Sequence, residues 1–414
     1  MLICLETIAV SSPEDRLLSL KRFAADEKVR QAAPPSGWAP GFRWDGTRGQ
    51  ITTETLEAEP EDWGALLASR GLDPQKYEVV GDSIKWCSYD GWKRDEAGED
   101  AYSTICYSYR ADIRLRQQVA PDLEAMFLEA RKLKRKPSTV TGDRALVILV
   151  SDWQVGNGDA GGVVSQLEKI ASLPGLCVDR LRSLRRGNVQ IGEIVLAGMG
   201  DLVEGCTGFY PAQQSMVQLD RREQTRVVRR GLLDLVKALA PLAPKVTVTA
   251  VAGNHGENRQ NGKAITSPND NDDVAVFEQV AEICAENPTV FGHLSWRLPT
   301  DRIAVSLEAG GLHIGFTHGH LARPAGDPAS TLWKWWTAQA MGREYEGIAD
   351  AQILCAGHYH HLNVRSQQGR VLFIAPSLTA VGDWWANSTG MRTDPGTLTF
   401  VAGPDGWSNL EILR

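Results

Sequence analysis

Residues 145–156 read ALVILVSDWQVG. Six consecutive apolar residues followed by a polar turn ending in glycine are the pattern of a strand buried on both faces. The same arrangement recurs four times downstream. EIVLAGM (193–199) runs into Gly200 and Asp201, and KVTVTAVA (245–252) runs into Gly253, Asn254 and His255. LHIGFT (312–317) runs into His318 and His320, and AQILCA (351–356) into Gly357, His358 and His360. Helical stretches, including 220–242, separate the first three strands, and further apolar runs lie at 303–307 and 371–374. The order βαβαβ and then mostly strands predicts a layered α/β domain.

Strand ends in such a sheet converge on one edge, where sites form. Glycine lets the backbone turn sharply there and lets a ligand approach. Asp, Asn and His supply oxygen and nitrogen donors for a divalent cation. The chain has eight histidines, and His255, His318, His358 and His360 all fall in these turns, with His320 close by. Taken singly, each residue reads as a hydrogen-bonded turn or core residue; scatter does not place them together at five strand ends.

This order of motifs, from residue 145 to the C-terminus, resembles the calcineurin-like metallophosphoesterase superfamily. The resemblance implies a sandwich of two β-sheets flanked by helices; the residues before it read as a small β-rich N-terminal domain. It implies two divalent metal ions, with Mn2+ favoured and Mg2+, Fe2+ or Zn2+ as alternatives. Asp152 and His360 would bind metal one, Asp201 would bridge, and Asn254, His318 and His358 would bind metal two. His255 would act on the substrate as the catalytic residue. The implied reaction is phosphoester hydrolysis by a metal-bridging hydroxide, in which the ions also neutralise charge on the phosphoryl oxygens. No covalent intermediate is needed, so a nucleophilic Cys or Ser motif is not expected.

One position departs from the family pattern. Gln154 stands where relatives carry a second histidine, two residues after the first Asp. A carboxamide oxygen is a harder and weaker donor than imidazole. Gln154 is expected to ligate metal one; the alternatives are a water-orienting role or a weakly held metal.

Composition bounds the rest. The 414 residues are 43% apolar and 23% charged, with a formal net charge of −7. This is an ordinary globular balance, not a chain coated in basic charge to grip nucleic acid or membrane. Seven scattered cysteines without a CxxC pair indicate free thiols in a reducing cytoplasm. The opening MLICLETIAV lacks a cationic region and is not read as a signal peptide. No stretch reaches the ~18 apolar residues a membrane helix needs. The organisation expected is a Trp-rich domain at 1–137 and a catalytic domain at 138–414. The first would hold strands near 83–89 and 102–109 and end in a connector helix at 120–136 that closes with RKLKRK.

The chemistry is better specified than the substrate. A looser resemblance, carried by GLDPQKYEVV, SDWQVG, GNHGE, WKWW, AGHYHH and GDWW, is to bacteriophage-encoded metallophosphoesterases grouped with SbcD-type DNA repair nucleases. It implies DNA as the substrate and partner. Arg222, Arg226 and Arg229 recur at i, i+4 and i+7, so they share a helix face that could track phosphates; a solvated face is the plainer reading. Trp333, Trp335, Trp336, Trp384 and Trp385 could stack on bases or pack in the core. Arg259, Lys263 and His320 are further candidates for substrate contact. The segment 269–273, NDNDD, lacks EF-hand spacing and reads as a loop and helix N-cap. The rival readings are a phosphodiesterase or phosphatase on small nucleotides or phosphoprotein, and a non-catalytic binding protein of the same fold.

Overall fold

The computed structural model describes residues 34–44, 48–56, 58–60, 62–74, 77–94, 101–115, 123–159, 161–210, 213–260, 262–300, 302–322, 326–379 and 393–414. The chain forms two compact units, Met1–Gln118 and Val119–Arg414.

In the first unit, Gly41–Trp44, Arg48–Thr52, Tyr77–Val79, Lys85–Arg94 and Ala101–Leu115 form one antiparallel sheet. Ile51, Ala111 and Ile113 pack against Leu67 of the helix Trp63–Ser69.

The second unit holds a six-stranded and a five-stranded sheet. In the first, Leu294–Arg297, Lys245–Ala250, Ile191–Gly198 and Arg144–Val150 lie side by side and parallel, and Thr397–Gly403 and Gly406–Leu413 complete it antiparallel. In the second, the order is Ala304–Ala309, Leu312–Thr317, Ile353–Ala356, Arg370–Ile374, Asn363–Gln367, with the middle three parallel. Alternate residues of the strand Arg144–Val150 sort to its two faces. Ala145, Val147 and Leu149 join Ile314, Phe316, Cys355 and Phe373 in a core shared by both sheets. Leu146, Ile148 and Val150 turn the other way, onto the helices Gly162–Arg186, Arg221–Leu239 and Asp272–Ala285. The helix Pro328–Gly342 covers the outer face of the second sheet through Leu332 and Trp336.

The helix expected at 120–136 is described as Leu123–Lys132, and it packs within the second unit. Met126 and Ala130 enter that unit's core, and Arg131 pairs with Glu286 at 2.8 Å. The helix Arg221–Leu239 begins at a capping box formed by Asp220 and Glu223. Its arginines do not share one fate. Arg222 is exposed, whereas Arg229 is buried and donates to Gln279 at 2.9 Å. Arg230 is held by Glu129 and Asp234. The three-arginine stripe is therefore shortened to Arg222 and Arg226, because the helix Asp272–Ala285 packs over its third member. Trp336 is likewise a core residue, 1% exposed, with its indole donating to the Ile348 carbonyl at 2.9 Å. Trp333 and Trp335 pack partly buried against the same core. Trp384 and Trp385 lie outside the described residues. No described helix is long and apolar enough to cross a membrane.

Candidate metal centre

Parallel pairing puts the C-terminal ends of Arg144–Val150, Ile191–Gly198 and Lys245–Ala250 at one edge of the first sheet. The ends of Leu312–Thr317 and Ile353–Ala356 meet in the same way in the second. The turns beyond these ends carry unusual backbone geometry. Nine non-glycine residues have positive φ among the described residues, and five of them are Asp152, Gln154, Asp201, His358 and His360. Each such conformation costs on the order of 1–3 kcal/mol and persists only where its surroundings enforce it. Trp153, fully buried in the helix-side core, anchors the first turn. The second and third turns are pressed together: a Cβ on Gly200, whose φ is +87°, would lie 2.7 Å from the Gly253 nitrogen and 2.8 Å from His318 Nδ1.

Ligand-type atoms of Asp201, His318 and His358 lie within 4.8 Å of one another. His318 Nδ1 donates to the Met199 carbonyl at 2.7 Å, which directs Nε2 inward. There Nε2 meets Asp201 Oδ2 at 3.0 Å and Asn254 Oδ1 at 3.1 Å. One nitrogen facing two acceptor oxygens needs either a proton or a cation among them, and the donor set suits a divalent ion. The Asn254 amide nitrogen is buried without a hydrogen-bond partner. His358 stands beside His318, with ring centroids 5.1 Å apart.

Asp152 and His360 form the neighbouring half of the site. His360 Nε2 is 3.2 Å from Asp152 Oδ1, and the His358 amide donates to the same carboxylate at 3.2 Å. Both aspartates are fully buried, and each has histidine within reach. Burial pushes the Asp201 carboxyl up, but His318 and His255 overcome it and hold it well below the usual range. Asp152 is likewise lowered, by His360 against burial. Burial lowers His318 too, yet the Asp201 carboxylate raises it to about 9. His358, buried and beside His318, falls to about 4.

The His318 value sets a testable sign. Its proton is bound at pH 7 in the metal-free chain, because about 9 lies above 7. A cation there needs the Nε2 lone pair, so uptake of the ion held by His318 expels about one proton. Affinity therefore rises with pH and levels off above about 9. Calorimetric titration with Mn2+ at pH 7 in two buffers of different ionisation heat checks this; equal apparent enthalpies count against it.

His255 stands at the rim of the cluster. Its amide donates to Asp201 Oδ1 at 2.8 Å, and its Nδ1 lies 2.8 Å from the Glu204 carbonyl. Phe209 packs on its ring, centroids 4.1 Å apart. Gln154 directs its amide nitrogen to His255 Nε2 at 3.3 Å. The side chain expected to ligate metal one is thus engaged through its nitrogen with the imidazole.

The other candidates are placed as follows. The His320 side chain is 7% exposed, its Nε2 3.3 Å from Glu257 Oε1. Arg259 is tied to Glu257 at 2.8 Å and to the Gly262 carbonyl at 3.0 Å, and it covers the Phe209 ring. Its guanidinium is engaged within the loop. Lys263 is exposed on a short hairpin. Arg222 and Arg226 lie on a helix whose Gln224 binds Gly205 N–H at 2.9 Å, so the helix start abuts the turn after Asp201.

Two residues of the site went unnoticed in the sequence. Glu204 is fully buried; it accepts from Tyr210 at 2.8 Å and Asn157 at 3.2 Å, and its carboxylate is 3.4 Å from His255 Nδ1. A second acidic residue three positions after Asp201 was the available signal. Asp273 accepts backbone amides from the turns of both Asp201 and Gly253. The segment 269–273 does form the loop and cap expected of it, with Asn271 at the N-cap.

No protein-family model matches the chain, and no curated protein matches it. Among solved structures, it is similar to wild-type Vps29 complexed with Zn2+ from Entamoeba histolytica. The identity is 15%, the TM-score 0.29, and 65% of this chain and 99% of that chain are covered. A predicted phosphoesterase from Streptococcus pneumoniae is 14% identical, with a TM-score of 0.24, over 62% of this chain and 82% of that one. A novel archaeal phosphodiesterase is 12% identical, with a TM-score of 0.28, over 65% and 99%. At these identities and TM-scores, any chemical reading rests on the chain's own side chains.

Proposed function

We propose that the chain is a metal-dependent phosphoesterase of the calcineurin-like class that hydrolyses phosphodiester bonds, with DNA as its substrate. The observation that carries the chemistry is the gathering of Asp152, Asp201, Asn254, His318, His358 and His360 from five strand ends around two buried carboxylates. Asp152 and His360 would hold one ion, Asn254, His318 and His358 the other, with Asp201 between them; Mn2+ is the favoured metal. When bound, the ions supply Lewis acidity toward the phosphoryl oxygens and lower the pKa of a nearby water.

The chain's own residues do the remainder. The left-handed turns and the shared cap at Asp273 hold the donors at fixed spacing before substrate arrives. His255 gives a proton to the departing alkoxide. Its Nδ1–H is donated to the Glu204 carbonyl, so Nε2, which faces the Gln154 amide, is the atom left to take up a proton and pass it to the leaving oxygen. Phe209 and Glu204 restrict the ring to that orientation.

DNA is favoured by exposed Arg222 with Arg226 on a helix that starts at the turn after Asp201. Release of mononucleotides from linear DNA with Mn2+ tests this. Activity on cyclic nucleotides or phosphopeptide with none on DNA would overturn the substrate and leave the chemistry standing.

The engagement of Gln154 with His255 favours a second reading, a metal-binding protein of low turnover. If Gln154 weakens the half-site of Asp152 and His360, Gln154→His tightens the weaker of two Mn2+ binding steps by about tenfold, imidazole being the better donor. Titration of both proteins checks this; identical isotherms remove Gln154 from the account of metal affinity.

A further inference from the structure

Asp273 lies in the first turn of the helix Asp272–Ala285 and is 1% exposed. Its two carboxylate oxygens accept four backbone amides. Oδ2 takes Asp201 N–H at 2.8 Å and Gly253 N–H at 3.1 Å. Oδ1 takes Leu202 N–H at 2.8 Å and Val203 N–H at 3.3 Å. Beside it, Asn271 Nδ2 donates to the Gly253 carbonyl at 2.8 Å. One helix start thus grips two turns that follow different strands.

We infer that Asp273 is a positioning residue that sets the spacing between Asp201 and the Asn254–His255 turn. This inference rests on the reading of Asp201 and Asn254 as metal donors. Three of the four amides belong to Asp201 and the two residues after it, and Asp201 itself is held at φ +52°. That conformation stays only while its neighbours enforce it, and the carboxylate of Asp273 is the neighbour that fixes the amide of Asp201. The two turns touch with no room to spare: a Cβ on Gly253 would fall 2.2 Å from both the nitrogen and Oδ1 of Asp201, and 2.8 Å from Asp273 Oδ2. Asp273 therefore links the turn that presents Asp201 Oδ2 to the turn that presents Asn254 Oδ1, the two oxygens that meet at His318 Nε2.

The obvious variant is Asp273→Asn. It keeps the shape of the side chain, but only one oxygen remains to accept, and an NH2 group is set against two amide donors. Partners that orient metal ligands typically cost 10–100-fold in affinity when lost. Calorimetric titration of the metal-free full chain with Mn2+ should show binding 10–100-fold weaker in Asp273→Asn than in wild type. Circular dichroism must show both folded at the titration temperature. Hydrogen exchange should quicken at the amides of Asp201, Leu202, Val203 and Gly253 and stay unchanged in the strand Ile191–Gly198. If Asp273→Asn does not fold, Asn271→Ser retains a helix cap while removing the bond to the Gly253 carbonyl. Severalfold weaker Mn2+ binding is then expected. Equal Mn2+ affinity in a folded variant, even one of lower Tm, overturns the inference and leaves the metal centre intact. A wild-type chain that takes up no Mn2+ overturns both.

Discussion

If the chain is the proposed metal-dependent phosphoesterase, Asp201→Ala should remove Mn2+-dependent hydrolysis of bis-(p-nitrophenyl) phosphate, with a rate loss on the order of a thousandfold or more. The magnitude follows from what the residue does. Its carboxylate has both oxygens engaged: Oδ2 reaches His318 Nε2 at 3.0 Å, and Oδ1 accepts the His255 amide at 2.8 Å. A metal ion contributes several kcal/mol of transition-state charge stabilisation, and each 1.36 kcal/mol is tenfold in rate. The variant also loses the acceptor that orders the His255 amide, so loss of metal and loss of alignment act together. Alanine carries a Cβ, as aspartate does, and the amide bond to Asp273 is a backbone bond, so the turn keeps its anchor. The checks are the steady-state rate at saturating Mn2+ and a circular dichroism spectrum matching wild type. Retained activity in a folded variant would remove this cluster as the site of hydrolysis, since no other described carboxylate occupies that position between His318 and His255.

The strand ends were legible in the sequence because parallel strands buried on both faces appear as unbroken apolar runs. Their ligands were legible because histidine is rare in this chain and clusters at those runs. Side chains that act through backbone amides were not. Asp273 sits 72 residues from the amide of Asp201 that it accepts, and nothing in NDNDD separates a solvated cap from a buried clamp. Gln154 announced itself as a departure, but its partner His255 is 101 residues away, so the sequence exposed the substitution without its consequence. Periodicity placed Arg222, Arg226 and Arg229 on one helix face correctly. It could not report that Gln279 of a neighbouring helix covers Arg229. Helical spacing defines a face, and only tertiary packing decides whether water or protein meets it.

His255→Asn separates the proton-transfer role from the metal centre. The backbone amide that bonds Asp201 Oδ1 remains in the variant, so Mn2+ affinity should hold within about threefold. The ring alone is lost, together with its contacts to Glu204, Phe209 and Gln154. General acid catalysis is worth about 10²–10⁴-fold, but only where the leaving oxygen needs a proton. A DNA phosphodiester expels an alkoxide that is strongly basic, so cleavage should slow by the full factor. Bis-(p-nitrophenyl) phosphate expels a phenolate that is stable near neutrality, so its hydrolysis should slow far less, by about tenfold or under. The comparison is internal to one protein preparation, and a general loss of fold would depress both rates alike. Equal losses on the two substrates would show that His255 stabilises charge on phosphorus or orders the cluster. A large loss on the activated ester alone would contradict proton donation altogether. The predicted asymmetry requires Nε2 to carry the proton that is given away, and the Glu204 carbonyl, by holding Nδ1–H, leaves Nε2 as the nitrogen that does so.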